Sequence, residues 1–377
     1  MPSPLRLCFV VSYFHPVASG AERQALLQAK ELVRRGHTVR VLTRALPGRP
    51  TDETLDGVQV VRTIRPIEAG PLFGVSFISS LAESLVRDRE SYDLIHCHQA
   101  LWEAAAVGLV HDRLWRPSVV QPAASGSYGE WAALKQTRGR GLLRRLILRN
   151  DRFVAISAEL SQELQELGVP ADRITQLASG VDCEVFSPGR SSREDELPPR
   201  PRVLFLGRLH PQKNLSTLIE AWPAVAARHR ANLLIVGQGP ERARLEALAD
   251  RLHCRGSVHF YPPTAEAVDF LRAADLFVLP SVAEGSSNAL LEALAVGLPC
   301  LASRIGGNVD LIEPRRTGWL VEAADAAAWS AALDEALGDL GEARRMGHAA
   351  REATVERFSI RVVVDGYERL YRQLLES

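Results

Sequence analysis

Along this chain short apolar runs, each the length of a buried strand, alternate with longer stretches whose apolar residues recur at helical spacing. That alternation predicts βαβ units and a mainly parallel sheet. Leu7–Ser12, Thr38–Thr43, Val58–Thr63, Leu94–His98, Ser118–Gln121 and Phe153–Ser157 read as strands of a first sheet. The clearest early helix, Ala21–Arg35, ends at Gly36, a residue suited to the left-handed turn that closes helices. A second series has strands near Val203–Gly207, Ala231–Gly237, Val258–Tyr261, Leu276–Leu279, Cys300–Ser303 and Gly318–Val321. The last segment, from Ser359 to about Leu375, puts Val363, Tyr367, Leu370, Tyr371 and Leu374 on one stripe of a helix.

Between the two series the sequence turns to Pro, Ser, Arg and acidic residues without periodicity, which predicts a linker over 188–201. At 377 residues the chain exceeds what one hydrophobic core serves, so two domains are expected, 1–187 and 202–358. The expected fold class is therefore α/β, with two doubly wound parallel-sheet domains facing a cleft. Lys plus Arg and Asp plus Glu both number 45, and this neutral balance argues against a general affinity for nucleic acid. Cys8, Cys97, Cys183, Cys254 and Cys300 are scattered, with no C-x-x-C pair, which disfavours a disulfide framework or a thiolate metal site. The first apolar run, Leu5 to Val11, is too short for a membrane span, so a cytoplasmic protein is expected.

Candidate chemistry collects where strands end. Glu284 and Glu292 flank a strand-to-helix turn in which Ser286 or Ser287 can cap a helix beginning at Asn288. Open α/β sheets bind ligands at the carboxyl ends of their strands, and carboxylates there suit sugar or ribose hydroxyls. Arg208 and Lys213 follow Val203–Gly207, and a cationic pair in that place suits a diphosphate. Gly237 and Gly239 follow the next strand, but the third glycine of a dinucleotide fingerprint is missing. The chain contains no D-x-D pair for a divalent ion, and His96-Cys97-His98 lacks the further ligands of a metal site. Residues 135–152 are basic with interspersed leucines, consistent with a helix packed on the first sheet or with peripheral contact at a membrane face.

The spacing Glu284-x7-Glu292 resembles the E-x7-E signature of family 4 glycosyltransferases, retaining enzymes of the two-domain GT-B fold. The segments Gly207-Arg208-Leu-His-Pro-Gln-Lys213-Asn214, Gly237-Gln-Gly239-Pro-Glu241, Ser303-Arg-Ile-Gly306-Gly307-Asn308 and Ser19-Gly20-Ala21-Glu22 resemble that family's motifs too, so the likeness spans nearly the whole chain. It implies catalytic roles for Arg208, Lys213 and Glu284. It implies nucleotide-sugar contacts at Gly20, Gly207, Gly237, Gly239, Ser286, Ser287, Asn288 and Glu292, without a metal or other cofactor.

The resemblance further implies that 359–377 packs back on the first domain, which would bind acceptor, while the second binds a UDP- or GDP-sugar. Many relatives carry a histidine in the loop after the strand matching Ser118–Gln121, and this chain reads Gln-Pro-Ala-Ala-Ser-Gly-Ser-Tyr-Gly-Glu over 121–130. His98, Ser125, Ser127 and Glu130 become the candidate acceptor contacts. The expected activity is metal-independent transfer of a hexose-type sugar to an acceptor hydroxyl in surface glycan or glycoconjugate synthesis. A small soluble acceptor, or a non-catalytic sugar-nucleotide-binding role on the same scaffold, is the alternative.

Overall fold

The computed structural model describes residues 3–16, 19–70 and 72–376. The chain divides into two compact units: Met1–Gly180 with Ile360–Ser377 as unit 1, and Val181–Ser359 as unit 2. Both are Rossmann-like, each built on a mostly parallel sheet with helical crossovers.

The sheet of unit 1 has eight strands: β1 (Arg6–Val10), β2 (Thr38–Arg44), β3 (Asp52–Leu55), β4 (Val58–Ile64), β5 (Leu94–Cys97), β6 (Ser118–Val120), β7 (Arg152–Ala155) and β8 (Ile174–Gln176). Their order is β3-β4-β2-β1-β5-β6-β7-β8, parallel except where β3 pairs antiparallel with β4. Helices bury both faces of its centre, which is why β5 reads as Leu-Ile-His-Cys with every residue buried instead of alternating. The β3–β4 hairpin, unforeseen in the sequence, turns on Asp56 and Gly57 with φ of 50° and 82°, the two positive values that a tight hairpin turn demands. β3 is polar and lies at the sheet edge, so the hydrophobic pattern gave it no signal. The helix Ile360–Glu376 joins this unit, placing Ile360, Val363, Tyr367, Leu370 and Tyr371 in its core.

Unit 2 has six strands: β9 (Arg202–Leu206), β10 (Asn232–Val236), β11 (Val258–Tyr261), β12 (Leu276–Leu279), β13 (Cys300–Ser303) and β14 (Trp319–Val321). They pair in the order β11-β10-β9-β12-β13-β14, all parallel.

The expected boundaries need correction. The division falls at 180/181 and 359/360, and 188–201 is part of unit 2 and not a free linker. Ser191 Oγ donates to Asp269 O at 2.8 Å, Arg200 pairs with Asp275 at 2.6 Å, and the buried Arg202 guanidinium donates to the carbonyls of Pro198 and Ala273 at 2.5 and 3.2 Å. Charge and hydrogen bonding, which leave no hydrophobic period, hold this segment down.

Each sheet reverses its winding once. In unit 1 the chain leaves β1 toward β2 and leaves β5 toward β6 on the other side; in unit 2 the same reversal separates β9 from β12. The loops after β1 and β5, and after β9 and β12, therefore diverge and open a crevice at each switch point.

Candidate active site

The unit 2 crevice gathers most of the expected residues. After β9 the chain makes a short turn, Pro211–Lys213, and after β12 it runs Pro280–Ser287 into the helix Asn288–Val296. The two loops are laced together: Gln212 Nε2 donates to Ala283 O at 2.8 Å and Val282 N donates to Gln212 O at 2.9 Å. Across this lacing Lys213 Nζ forms an ion pair with Glu284 Oε1, which also accepts from Ser281 Oγ at 2.6 Å. Glu284 is 7% exposed and Glu292, on the following helix, 5% exposed. Ser287 caps that helix by accepting from Leu290 N at 3.4 Å, so Ser286 and Asn288 bracket its positive end. Arg208 is exposed and, among the described residues, takes part in no ion pair. The site thus holds a fixed cation, a loose cation and two sequestered carboxylates.

The glycines here serve the chain itself. Gly237 and Gly239 have φ of 150° and 158°, and a Cβ on either would strike backbone, that of Gly207 and Leu209 respectively. Gly207, at φ 157°, would press a Cβ against the Phe205 ring at 3.1 Å. These glycines let the loops after β9 and β10 lie against each other, which accounts for Gly237 and Gly239 without a ligand.

Unit 1 treats its candidates differently. Gly20 is exposed and opens the helix Gly20–Arg34 behind Ser19. His98, expected to meet an acceptor, is 1% exposed, with its ring 4.1 Å from that of His96 and 4.6 Å from that of Phe9. Burial lowers its pKa to about 3, so the ring is neutral. Ser125 is also buried, donating to Glu159 at 2.7 Å, and Glu130 accepts from the Ala123 and Ala124 amides at 2.7 and 3.0 Å, closing its own loop. Ser127 alone of the four is exposed.

The sequence pattern of the group 1 glycosyl transferases matches residues 190–353, and that of Glycosyltransferase Family 4 matches 18–185. The D-inositol 3-phosphate glycosyltransferase of Nocardia farcinica is 33% identical over 366 residues, covering 88% of this chain and 79% of that protein. The chain belongs to glycosyltransferase family 4. This family 4 glycosyltransferase is also 26% identical to the N-acetyl-alpha-D-glucosaminyl L-malate synthase of Bacillus anthracis, over 96% of each chain. Its fold is that of the sucrose-phosphate synthase of Thermosynechococcus elongatus, with a TM-score of 0.84, 23% identity and coverage of 98% and 99% of the two chains. An Anabaena HepE protein in complex with UDP and glucose superposes with a TM-score of 0.80 at 18% identity, over 97% of this chain and 99% of that one.

Unit 1 of this glycosyltransferase also holds a buried carboxyl that the sequence did not single out. Glu103, at the start of the helix Trp102–Leu114 after β5, is 2% exposed and accepts the Ser12 hydroxyl from the loop after β1. Its place in the first turn of an Ala-rich helix, Trp-Glu-Ala-Ala-Ala, carries no local sign of burial. Only the pairing of β1 with β5 brings the two loops together. Burial raises its carboxyl to about 7, against the hydrogen bond from Ser12.

Proposed function

We propose that this glycosyltransferase moves a hexose-type sugar from a UDP- or GDP-sugar to an acceptor hydroxyl with retention of anomeric configuration and without a metal ion. The observation that carries the reading is the Lys213–Glu284 pair at the unit 2 switch point, with Arg208 in the same loop after β9 as Lys213. A departing nucleoside diphosphate gains negative charge as the bond from the anomeric carbon to phosphate oxygen breaks. Arg208 and Lys213 offset that charge, a task a divalent ion performs elsewhere. Lys213 is already fixed by Glu284, so little reorganisation is left for the reaction. Glu284 holds hydroxyls of the transferred sugar, Glu292 those of the ribose, and the amides around Ser286–Asn288 the phosphates. As the acceptor oxygen bonds the anomeric carbon from the same face, its proton passes to the leaving phosphate oxygen, so no enzyme base is needed.

A small polar acceptor fits better than a growing surface glycan, since the relatives above include enzymes whose names state inositol phosphate and malate as acceptors. Among the described residues no helix is long and apolar enough to cross a membrane. In the basic 135–152 stretch Leu143 and Ile147 are buried and Leu142 is exposed, which favours packing over membrane contact. The five cysteines are free thiols, in keeping with work in the cytoplasm.

A thermal-shift screen against UDP, GDP, ADP and their sugar conjugates, with and without divalent metal, tests the reading. A rise in Tm with one uridine or guanosine series, independent of metal, is the expected result. No shift with any of them, together with no transfer from any donor, would overturn it.

A further inference from the structure

Arg44 ends β2 at the carboxyl edge of the unit 1 sheet, next to β1 and its switch point. It is 7% exposed, and arginines are rarely so buried unless they are paired. Its guanidinium lies among aromatic rings, 4.4 Å from the centre of Tyr13 and 5.4 Å from that of Phe73. The Trp102 ring meets Phe73 edge-on at 6.2 Å, and Gly74 leaves it room, since a Cβ there would strike it at 2.5 Å. All three aromatic side chains are only partly buried. A flat cation is thus fixed among rings that still meet water, at the edge where sheets of this kind bind ligands.

Its polar partners are unevenly matched. One terminal nitrogen donates to the Tyr13 hydroxyl, the other forms an ion pair with Glu68, and Nε makes no hydrogen bond. Glu68 lies in the irregular stretch after β4 with its side chain 67% exposed, and among the described residues it is the only carboxylate paired with Arg44. An exposed carboxylate holds its partner weakly, because water screens the pair and ordering the side chain costs entropy. The guanidinium is the lasting half of this pair and the carboxylate the exchangeable one. We propose that Arg44 binds an anionic group of the acceptor, a phosphate or carboxylate on a small hydroxylated molecule, which displaces Glu68 from the guanidinium. Tyr13, Phe73 and Trp102 take the apolar C–H surface of the same molecule. This rests on the proposed function, because the bound group belongs to an acceptor only if the protein transfers sugar.

The test is acceptor kcat and KM for matched pairs, each polyol or hexose against its monophosphate and each hydroxy acid against its amide, with the wild-type protein, R44Q and E68Q. Melts of all three in inorganic phosphate at fixed ionic strength accompany it. The wild type should prefer the charged member of a pair by roughly 10- to 100-fold, the worth of a charge-assisted hydrogen bond, and R44Q should lose that preference through KM. E68Q should lower the KM of the charged member by about threefold, because the competing carboxylate is gone. The rise in Tm with phosphate should be smaller in R44Q than in the wild type and larger in E68Q, whereas phosphate in the unit 2 crevice affects all three alike. E68Q alters only an exposed side chain, so it reads the competition even where R44Q fails to fold. Equal use of charged and neutral acceptors by the wild type, a charged-acceptor KM that E68Q leaves unchanged, or a preference that R44Q keeps while its Tm falls would make Arg44 a strut between loops. Any of these overturns the inference and leaves the proposed function standing. No transfer from any donor by the wild type would overturn both.

Discussion

The two switch points are built on one plan and carry opposite electrostatics. In each unit the loop after the first strand meets the loop after the strand across the reversal, and in each a glutamate from the second loop grips a residue of the first. In unit 2 the grip is Glu284 on Lys213, an ion pair. In unit 1 it is Glu103 on Ser12, with no cation, and burial pushes the carboxyl up to about 7. The same topology thus gives one crevice whose buried carboxylate holds a cation and one whose buried carboxyl faces a hydroxyl. The difference comes from which residue stands across from the glutamate.

The largest expected effect breaks the unit 2 half of this comparison: R208A should lower kcat/KM by about 10²–10³, the loss typical of removing one preorganised group on a developing charge. Transfer rates measured at saturating acceptor check it, and unchanged turnover would remove Arg208 from the site. Next, E284Q leaves Lys213, whose side chain is 15% exposed, without its carboxylate, and should destabilise unit 2 by about 3 kcal/mol. Chemical denaturation of the folded variant against wild type reads that loss.

A smaller effect sharpens the unit 1 half. The Glu103 pKa in the folded protein, about 7, lies above the ordinary 4.5, so its protonated form stabilises the fold fully below about 4.5, and that contribution is lost as pH rises to about 7. His98 works the other way: with its folded value near 3 against the usual 6.5, its contribution is present above 6.5 and lost as pH falls toward 3. The two slopes oppose each other between about pH 5 and 7, and E103Q should unmask the His98 slope as a Tm that falls on acidification more steeply than in wild type. Parallel Tm curves for the two proteins would refute the Glu103 assignment. The smallest effect is expected at Ser127, exposed and clear of both grips: S127A should change stability by less than about 0.5 kcal/mol in a denaturant titration.

How legible each feature was in the sequence depended on what held it. Strands buried on both faces, such as β1, β5, β9 and β12, announced themselves as apolar runs, and the stripe of Val363, Tyr367 and Tyr371 announced a helix with one buried face. Segments held by polar contacts did not. The 188–201 stretch looked unstructured because its anchors are Arg200 with Asp275 and Ser191 with a carbonyl, and β3 was invisible because its pairing with β4 uses backbone that every sequence carries. At the candidate site Arg208, Lys213, Glu284 and Glu292 were readable because each falls within a few residues of a strand end or helix start. His98 was misread for the same reason: its position after β5 suggested an open crevice, whereas its ring turns in beside Phe9 and His96.

By itself the sequence determined the fold class, the family and the strand-end placement of Arg208, Lys213 and Glu284, because period, glycine placement and short motif spacing are local properties that survive without coordinates. Only the tertiary structure decided which of those residues touch. The Lys213–Glu284 and Ser12–Glu103 contacts join residues 71 and 91 positions apart, and each depends on which strands lie side by side. It also decided the state of Glu103, since a carboxyl's pKa follows from the water and charges around it, and those are supplied by other segments of the chain.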